Sequence, residues 1–327
     1  MRVDQSMPAA STSTKSSSVQ KPLKTAQAKP SALVASYAAA AQSNATTRSY
    51  DADVRHFKQY GGSIPATPTM VAEYLANFAG ILAVSTLQHR LIAIHRAHTD
   101  QGLPSPVTNS LVKRTMQGIR RTFGIKQRRV TALVKDDLLE MMIHIDKQMT
   151  MRAARDKALI LVGFAGAFRR SELVRLRYED ITQYDSGMEL LIRRSKTDQE
   201  GAGRTVFIPY AHGNRCPVKI LKRWLALADI ESGPLFRPIN RHDQIVGTKA
   251  LTPQSVALIV KASMRMVAGD EAAKMVAGHS LRAGYCTEAA TVGMPAHIIQ
   301  ETTGHRSLTV LAGYIRPVAK RKIPSLL

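Results

Sequence analysis

The longest apolar run in the chain, Ala158 to Phe168, is closed by Lys157 on one side and Arg169 on the other. As a helix, at about 1.5 Å per residue, so short a run covers only about half of a bilayer's hydrocarbon thickness. It therefore predicts a helix buried in a globular core, around which the rest of its domain must pack. The run empties directly into Phe168-Arg169-Arg170-Ser171-Glu172-Leu173. The Arg169 guanidinium thus starts from a partly dry place, where an unpaired charge is costly. Glu172, one helical turn on, can brace it and leave part of the guanidinium fork free for an anion. A purely structural Arg169–Glu172 pair satisfies the same pattern.

With 327 residues, 44% of them hydrophobic, the chain is long enough for two domains, each with its own core. Lys and Arg total 46 against 24 Asp and Glu, a formal charge of +22, and an excess of that size points to a polyanion: DNA, RNA or an anionic membrane. The N-terminus lacks the charged-then-apolar pattern of a secretory signal, and Cys216 and Cys286 stand far apart, so a reduced, cytoplasmic protein with no membrane span is expected. None of the ten histidines has zinc-finger spacing from either cysteine, so no metal site is expected.

Residues 1–30 are Ser, Thr, Gln, Lys, Ala and Pro with little to bury, and a disordered tail is expected. Residues 31–124 read as an all-helical domain. A first helix carries Leu33, Val34 and Tyr37; a second, capped at Ser43-Asn44, carries Tyr50, Val54 and Phe57. A third starts at Thr67-Pro68 with Val71, Leu75, Phe78 and Leu82 on one face. Ser85 caps a fourth with Leu87, Leu91 and Ile94, and a fifth runs from about Pro106 to Phe123 with Val112, Met116, Ile119 and Phe123 inward. Its opposite face and the basic linker, 125–131, carry Lys113, Arg114, Arg120, Arg121, Lys126, Arg128 and Arg129 with no acidic residue among them. Such a run repels itself unless it is solvated or neutralised by phosphates, and backbone contact with DNA is the favoured reading.

Residues 132–327 read as mostly helical with one small sheet. Helices are expected at Val134–Ile145, Arg152–Phe168 and Pro217–Ile230, and from Thr252-Pro253 onward. Alternation over Met188–Arg193 and Arg204–Pro209 predicts two antiparallel strands, with Lys196 at the tip of their connection. The last helical stretch carries Gly278-His279-Ser280-Leu281-Arg282, then Thr303-Gly304-His305, then Gly313-Tyr314-Ile315-Arg316. On a helix His279 and Arg282 share a face, which brings a proton-transfer group and a permanent cation to one spot. A phenol able to reach a phosphodiester held by arginine is a potential nucleophile.

Taken in order, Arg-x-Ser-Glu-Leu, a lysine on the following β-turn, Gly-His-x-Leu-Arg, Gly-His, and a tyrosine nine residues after that histidine resemble the tyrosine recombinase (phage integrase) family. The resemblance covers roughly residues 31–316. It implies a mainly α fold in which a helical core-binding domain precedes a mixed α/β catalytic domain with a small antiparallel sheet. It also implies a homo-tetramer on double-stranded DNA carrying paired recombination sites. Arg169 and Arg282 would clamp the non-bridging oxygens of the scissile phosphate, with Glu172 orienting Arg169. Tyr314 would attack to give a 3′-phosphotyrosyl link, His279 would accept the phenol proton, and Lys196 would protonate the leaving 5′ oxygen. His305 would hydrogen-bond the phosphate and help to hold Tyr314. Exchange of one phosphodiester for another of similar energy needs no cofactor, and no Gly-rich Lys-Ser/Thr loop or carboxylate cluster occurs in the chain. A type IB topoisomerase shares the same residue roles, and a DNA-binding protein could keep the fold without strand exchange. The helical N-terminal domain argues against the first, and the intact set Arg169, Lys196, His279, Arg282 and Tyr314 against the second.

Overall fold

The computed structural model describes residues 31–41, 43–124, 131–195, 203–309 and 311–314. The N-terminal tail, the linker residues Lys126, Arg128 and Arg129, Lys196 and the residues after Tyr314 lie outside that set. The chain divides into two compact units, Met1–Gln127 and Arg128–Leu327.

Among its described residues the first unit holds five α-helices: α1 (Ala32–Ala40), α2 (Asn44–Gln59), α3 (Pro68–Asn77), α4 (Val84–Thr99) and α5 (Ser110–Phe123). Side-chain oxygens of Ser43, Thr67 and Asn109 accept the orphan N–H groups that open α2, α3 and α5. Phe57, Leu75, Leu87, Ile94, Val112 and Met116 meet in one core. Three expectations are corrected here. Helix α4 begins one residue before Ser85, and its cap position is Ala83, which offers no side-chain acceptor. Helix α5 starts at Ser110 because Pro106–Thr108 forms a separate 3₁₀ turn. Phe123 lies at the end of α5 with its ring largely exposed, past the last turn that faces the core. In α1, Leu33, Val34 and Tyr37 are likewise exposed.

The second unit opens with α6 (Lys135–Asp146) and α7 (Met151–Ala165), followed by the single-turn α8 (Arg170–Leu173). Three strands come next, β1 (Ile181–Tyr184), β2 (Gly187–Ile192) and β3 (Arg204–Pro209), paired antiparallel in that order. Then come α9 (Pro217–Leu227), α10 (Pro253–Met275), α11 (Ser280–Thr291) and α12 (Ala296–Thr303). Helix α7 is central as expected: Leu159, Ile160 and Val162 are buried in a core shared with Leu138, Met141, Leu190, Val206, Leu221, Trp224, Val256 and Val260. Strand β1 escaped the sequence reading because Ile181-Thr182-Gln183-Tyr184 is half-buried only at Ile181 and exposed beyond it, so it carries no two-residue hydrophobic signal.

The helix expected to run through Phe168 ends early, in a tight reversal of the backbone. Gly166 is the C-cap of α7, and Ala167 adopts φ 48°, a left-handed conformation that costs an L-residue energy. Phe168 is buried after this reversal, and its N–H returns to the Gly163 carbonyl. Gly284 is needed elsewhere for a close approach: a Cβ on α11 at that position would stand 1.7 Å from the Leu133 carbonyl oxygen.

Candidate active site

The site lies where the end of α7, the start of α11 and the end of α12 meet. Its most buried cation is Arg282, in the first turn of α11 and 1% exposed. One of its terminal nitrogens, Nη1, donates to the Ala167 carbonyl at 2.8 Å, so the left-handed turn at Ala167 serves to aim that carbonyl. The other two donors, Nε and Nη2, are buried with no partner among the described residues. A guanidinium in this state is a cation awaiting an anion, because buried donors left unmade carry a desolvation cost of about 1–3 kcal/mol each. Burial, with Arg169 adding repulsion, lowers the Arg282 pKa to about 10, so the group stays protonated at neutral pH.

Arg169 ends the turn after α7 and is half-buried, whereas Arg170 is exposed, which places the first arginine of the pair in the cluster. Its Nη1 binds Glu172 Oε1 at 2.6 Å and its Nη2 donates to the Gly304 carbonyl at 3.2 Å. Glu172 is fully buried, and its second oxygen also accepts the Arg169 backbone N–H at 2.9 Å. A third arginine, which the sequence did not single out, completes this part of the site. Arg204, the first residue of β3, donates to the Thr302 carbonyl at 2.7 Å and reaches Glu172 Oε2 at 3.5 Å. It thereby ties the sheet to the C-terminal carbonyls of α12, which have no partner within the helix. Three guanidinium groups face one carboxylate, leaving an excess of positive charge suited to a phosphodiester.

His279 is the residue before α11, and Arg282 lies within its first turn, so the two sit together although only one is helical. His279 Nε2 lies 2.9 Å from the Tyr314 hydroxyl. The Tyr314 ring is also 5.9 Å from that of His305, which comes directly after the left-handed Gly304 that caps α12. Loss of surrounding water, then Arg282, Arg169 and Arg170, lower the His279 pKa from its ordinary 6.5. For His305 the same cause, helped by Arg282 and Arg169, lowers it to about 3. Both rings are therefore neutral at pH 7, and a neutral His279 with its hydrogen on Nδ1 accepts the phenol hydrogen at Nε2. Folding keeps protons off both rings, so the associated stability is full above pH 6.5 and is lost as pH falls from there towards the lowered folded values. If His279 is the base, the rate of attack by Tyr314 should hardly change between about pH 7.5 and 6.5 and should reach half its maximum only below that range. A half-maximal rate at 6.5, measured under single-turnover conditions, would point to a base with an ordinary histidine pKa.

Among the described residues no cluster of His, Cys, Asp or Glu could hold a metal, and no helix is long and apolar enough to cross a membrane. Both cysteines are buried and unpaired. In the first unit, Lys113, Arg114, Arg120 and Arg121 are exposed on the face of α5 opposite its buried Val112, Met116 and Ile119.

The model of the phage integrase family matches residues 131–321. An integrase/recombinase XerD homolog of Selenomonas ruminantium is 38% identical over 279 residues, spanning 83% of this chain and 81% of that protein. Recombinase Cre of Escherichia phage P1 is 26% identical over 267 residues, or 77% of this chain and 76% of Cre. Among solved structures, the XerH site-specific recombinase bound to palindromic difH substrate superposes with a TM-score of 0.57 at 22% identity, over 78% of this chain and 70% of XerH. A lambda integrase dimer bound to a COC′ core site gives 0.58 at 14% identity, over 90% of this chain and 77% of that one.

Proposed function

The chain belongs to the phage integrase family and is a tyrosine recombinase, and from that premise we propose that Tyr314 is its nucleophile and that the arginine pocket beside it holds one phosphodiester of duplex DNA. The observation that carries the assignment is the 2.9 Å contact between the Tyr314 hydroxyl and a neutral His279, beside the unpartnered buried donors of Arg282. The phenol oxygen attacks phosphorus as its hydrogen passes to His279 Nε2. Arg169 and Arg282 stabilise the charge that gathers on the non-bridging oxygens. The bond to the 5′ oxygen breaks, Lys196 supplies that oxygen with a proton, and the 3′ end stays on the tyrosine. Attack by another strand's 5′-hydroxyl reverses each step and restores the phenol. Glu172 keeps Arg169 in place throughout, and His305 contacts the phosphate. Trapping the protein covalently on a nicked substrate, then mapping the modified peptide and sequencing the attached strand, tests this. A label on any residue but Tyr314 overturns it.

The helical unit from 31 to 124 acts as a core-binding domain, and the linker sequence 125–131 adds further basic residues. Lys113, Arg114, Arg120, Arg121, Lys126, Arg128 and Arg129 lie along the DNA backbone in this reading, which the exposed basic face of α5 supports. Arg120→Gln with Arg121→Gln should weaken binding and make the slope of log affinity against log salt shallower by about 1–2, since each phosphate contact contributes about 0.9. An unchanged slope removes α5 from the interface. Four copies assemble on two paired sites, a stoichiometry that sedimentation of the trapped complex measures directly.

A further inference from the structure

Thr303, at the last turn of α12, is fully buried and makes contacts that fix a proton. Its hydroxyl oxygen lies 2.6 Å from the Ile299 carbonyl oxygen, 3.3 Å from that of Gln300 and 2.7 Å from His305 Nδ1. A hydroxyl has one hydrogen, and a carbonyl has none to offer. The short approach to Ile299 therefore uses the threonine's hydrogen. The contact with His305 is then a hydrogen bond only if the imidazole is the donor.

We infer that Thr303 is a positioning residue that holds neutral His305 with its hydrogen on Nδ1, so that Nε2 presents a lone pair and bonds a phosphate oxygen only after taking up one proton from solvent. The second half rests on the pocket being a phosphodiester site; the first does not. Arg282, Arg169, Arg204 and His279 all act on His305, and Tyr314 packs beside it. Burial opposes protonation first and the three arginines add to it while the pocket is empty; an anion held between the arginines offsets their repulsion and gives the proton a partner. Phosphate and proton therefore arrive together. In a ring with its hydrogen on Nε2 the neutral form would donate at once and no proton would be needed. Arg204 supports the arrangement by reaching the Thr302 and Thr303 carbonyls, which holds this turn against Glu172.

The test uses the full chain labelled with ¹⁵N-histidine, with His305 assigned by the signal lost in His305→Gln. Long-range ¹H–¹⁵N spectra distinguish the two neutral forms. Wild type should show the Nδ1–H pattern, Thr303→Ser should keep it, and Thr303→Val, which has the same shape without the hydroxyl, should move the ring to Nε2–H. Sulfate, whose charge is constant between about pH 6 and 8, is the anion probe. Its addition should convert wild-type His305 to imidazolium, with sulfate affinity falling about tenfold per pH unit as pH rises, while Thr303→Val should show a flatter dependence. An Nε2–H pattern in wild type, or a Thr303→Val spectrum like wild type, overturns the assignment; sulfate affinity independent of pH overturns the proton linkage. All of this is read without DNA, so failure here leaves adduct formation at Tyr314 standing, and the converse also holds.

Discussion

Tyr314→Phe is expected to abolish covalent attachment to DNA while leaving affinity within about twofold of wild type. The substitution removes a single oxygen. The ring remains against His305 and in the small core formed by Cys286, Ala289, Ile299 and Leu311, so residue 314 keeps its packing. His279 loses its partner but is already neutral, so no charge is stranded. The cations that hold the phosphate are untouched. Denaturing electrophoresis on a nicked substrate reads the adduct, and a binding titration reads affinity. A large loss of binding would mean that the phenol contributes to holding DNA rather than to chemistry, since loss of a group used only in the transition state leaves binding intact.

The second large effect concerns Arg282. Arg282→Lys keeps the charge but should slow adduct formation by about 10²- to 10³-fold, the scale found when one donor to a developing oxyanion is removed. The reason is geometric. The guanidinium divides its donors between the Ala167 carbonyl and two positions open to an anion, whereas a lysine has one nitrogen on a flexible stem. Satisfying Ala167 pulls that nitrogen away from the phosphate, and reaching the phosphate strands the carbonyl. Because charge and approximate volume persist, the melting temperature should shift by only a few degrees, and single-turnover rates separate the two effects. Near wild-type chemistry in Arg282→Lys would show that this pocket works as a bulk positive charge and not as a directed fork.

Much of the site was legible because its residues sit in short motifs whose spacing is local. Arg169 with Glu172, His279 with Arg282, and Gly304 with His305 are each within one helical turn, so pattern alone pairs them. The resemblance to the integrase family then put Tyr314 at their centre. Arg204 and Thr303 were not legible for the opposite reason. Arg204 meets Glu172 and Thr302 across separations of 32 and 98 residues, which no local period encodes, and it reads in sequence as an ordinary strand-edge arginine. Thr303 matters through a proton count that needs coordinates. The helices of the first unit were readable from capping residues and apolar stripes, and misplacements fell at their ends. Ser85 looked like a cap but lies past the true start, and Phe123 continued a pattern after the core had run out. Strand β1 had too little apolar character to announce itself.

The left-handed turn at Ala167 joins two things that are otherwise separate, the length of the central helix and the aim of the clamp. The carbonyl that grips Arg282 is set by where α7 stops. Adding or deleting one residue in that helix would rotate everything beyond it by about 100°, swinging the Ala167 oxygen off its target even if the core repacked around the slip. The polar connection between Ile239 and Ala250 is tied to the same helix at its other end, where Asp243 accepts the Met151 and Arg152 N–H groups that open α7. For anyone grafting tags or switches into this scaffold, α7 behaves as a rigid lever arm of fixed throw, pinned at its start by Asp243.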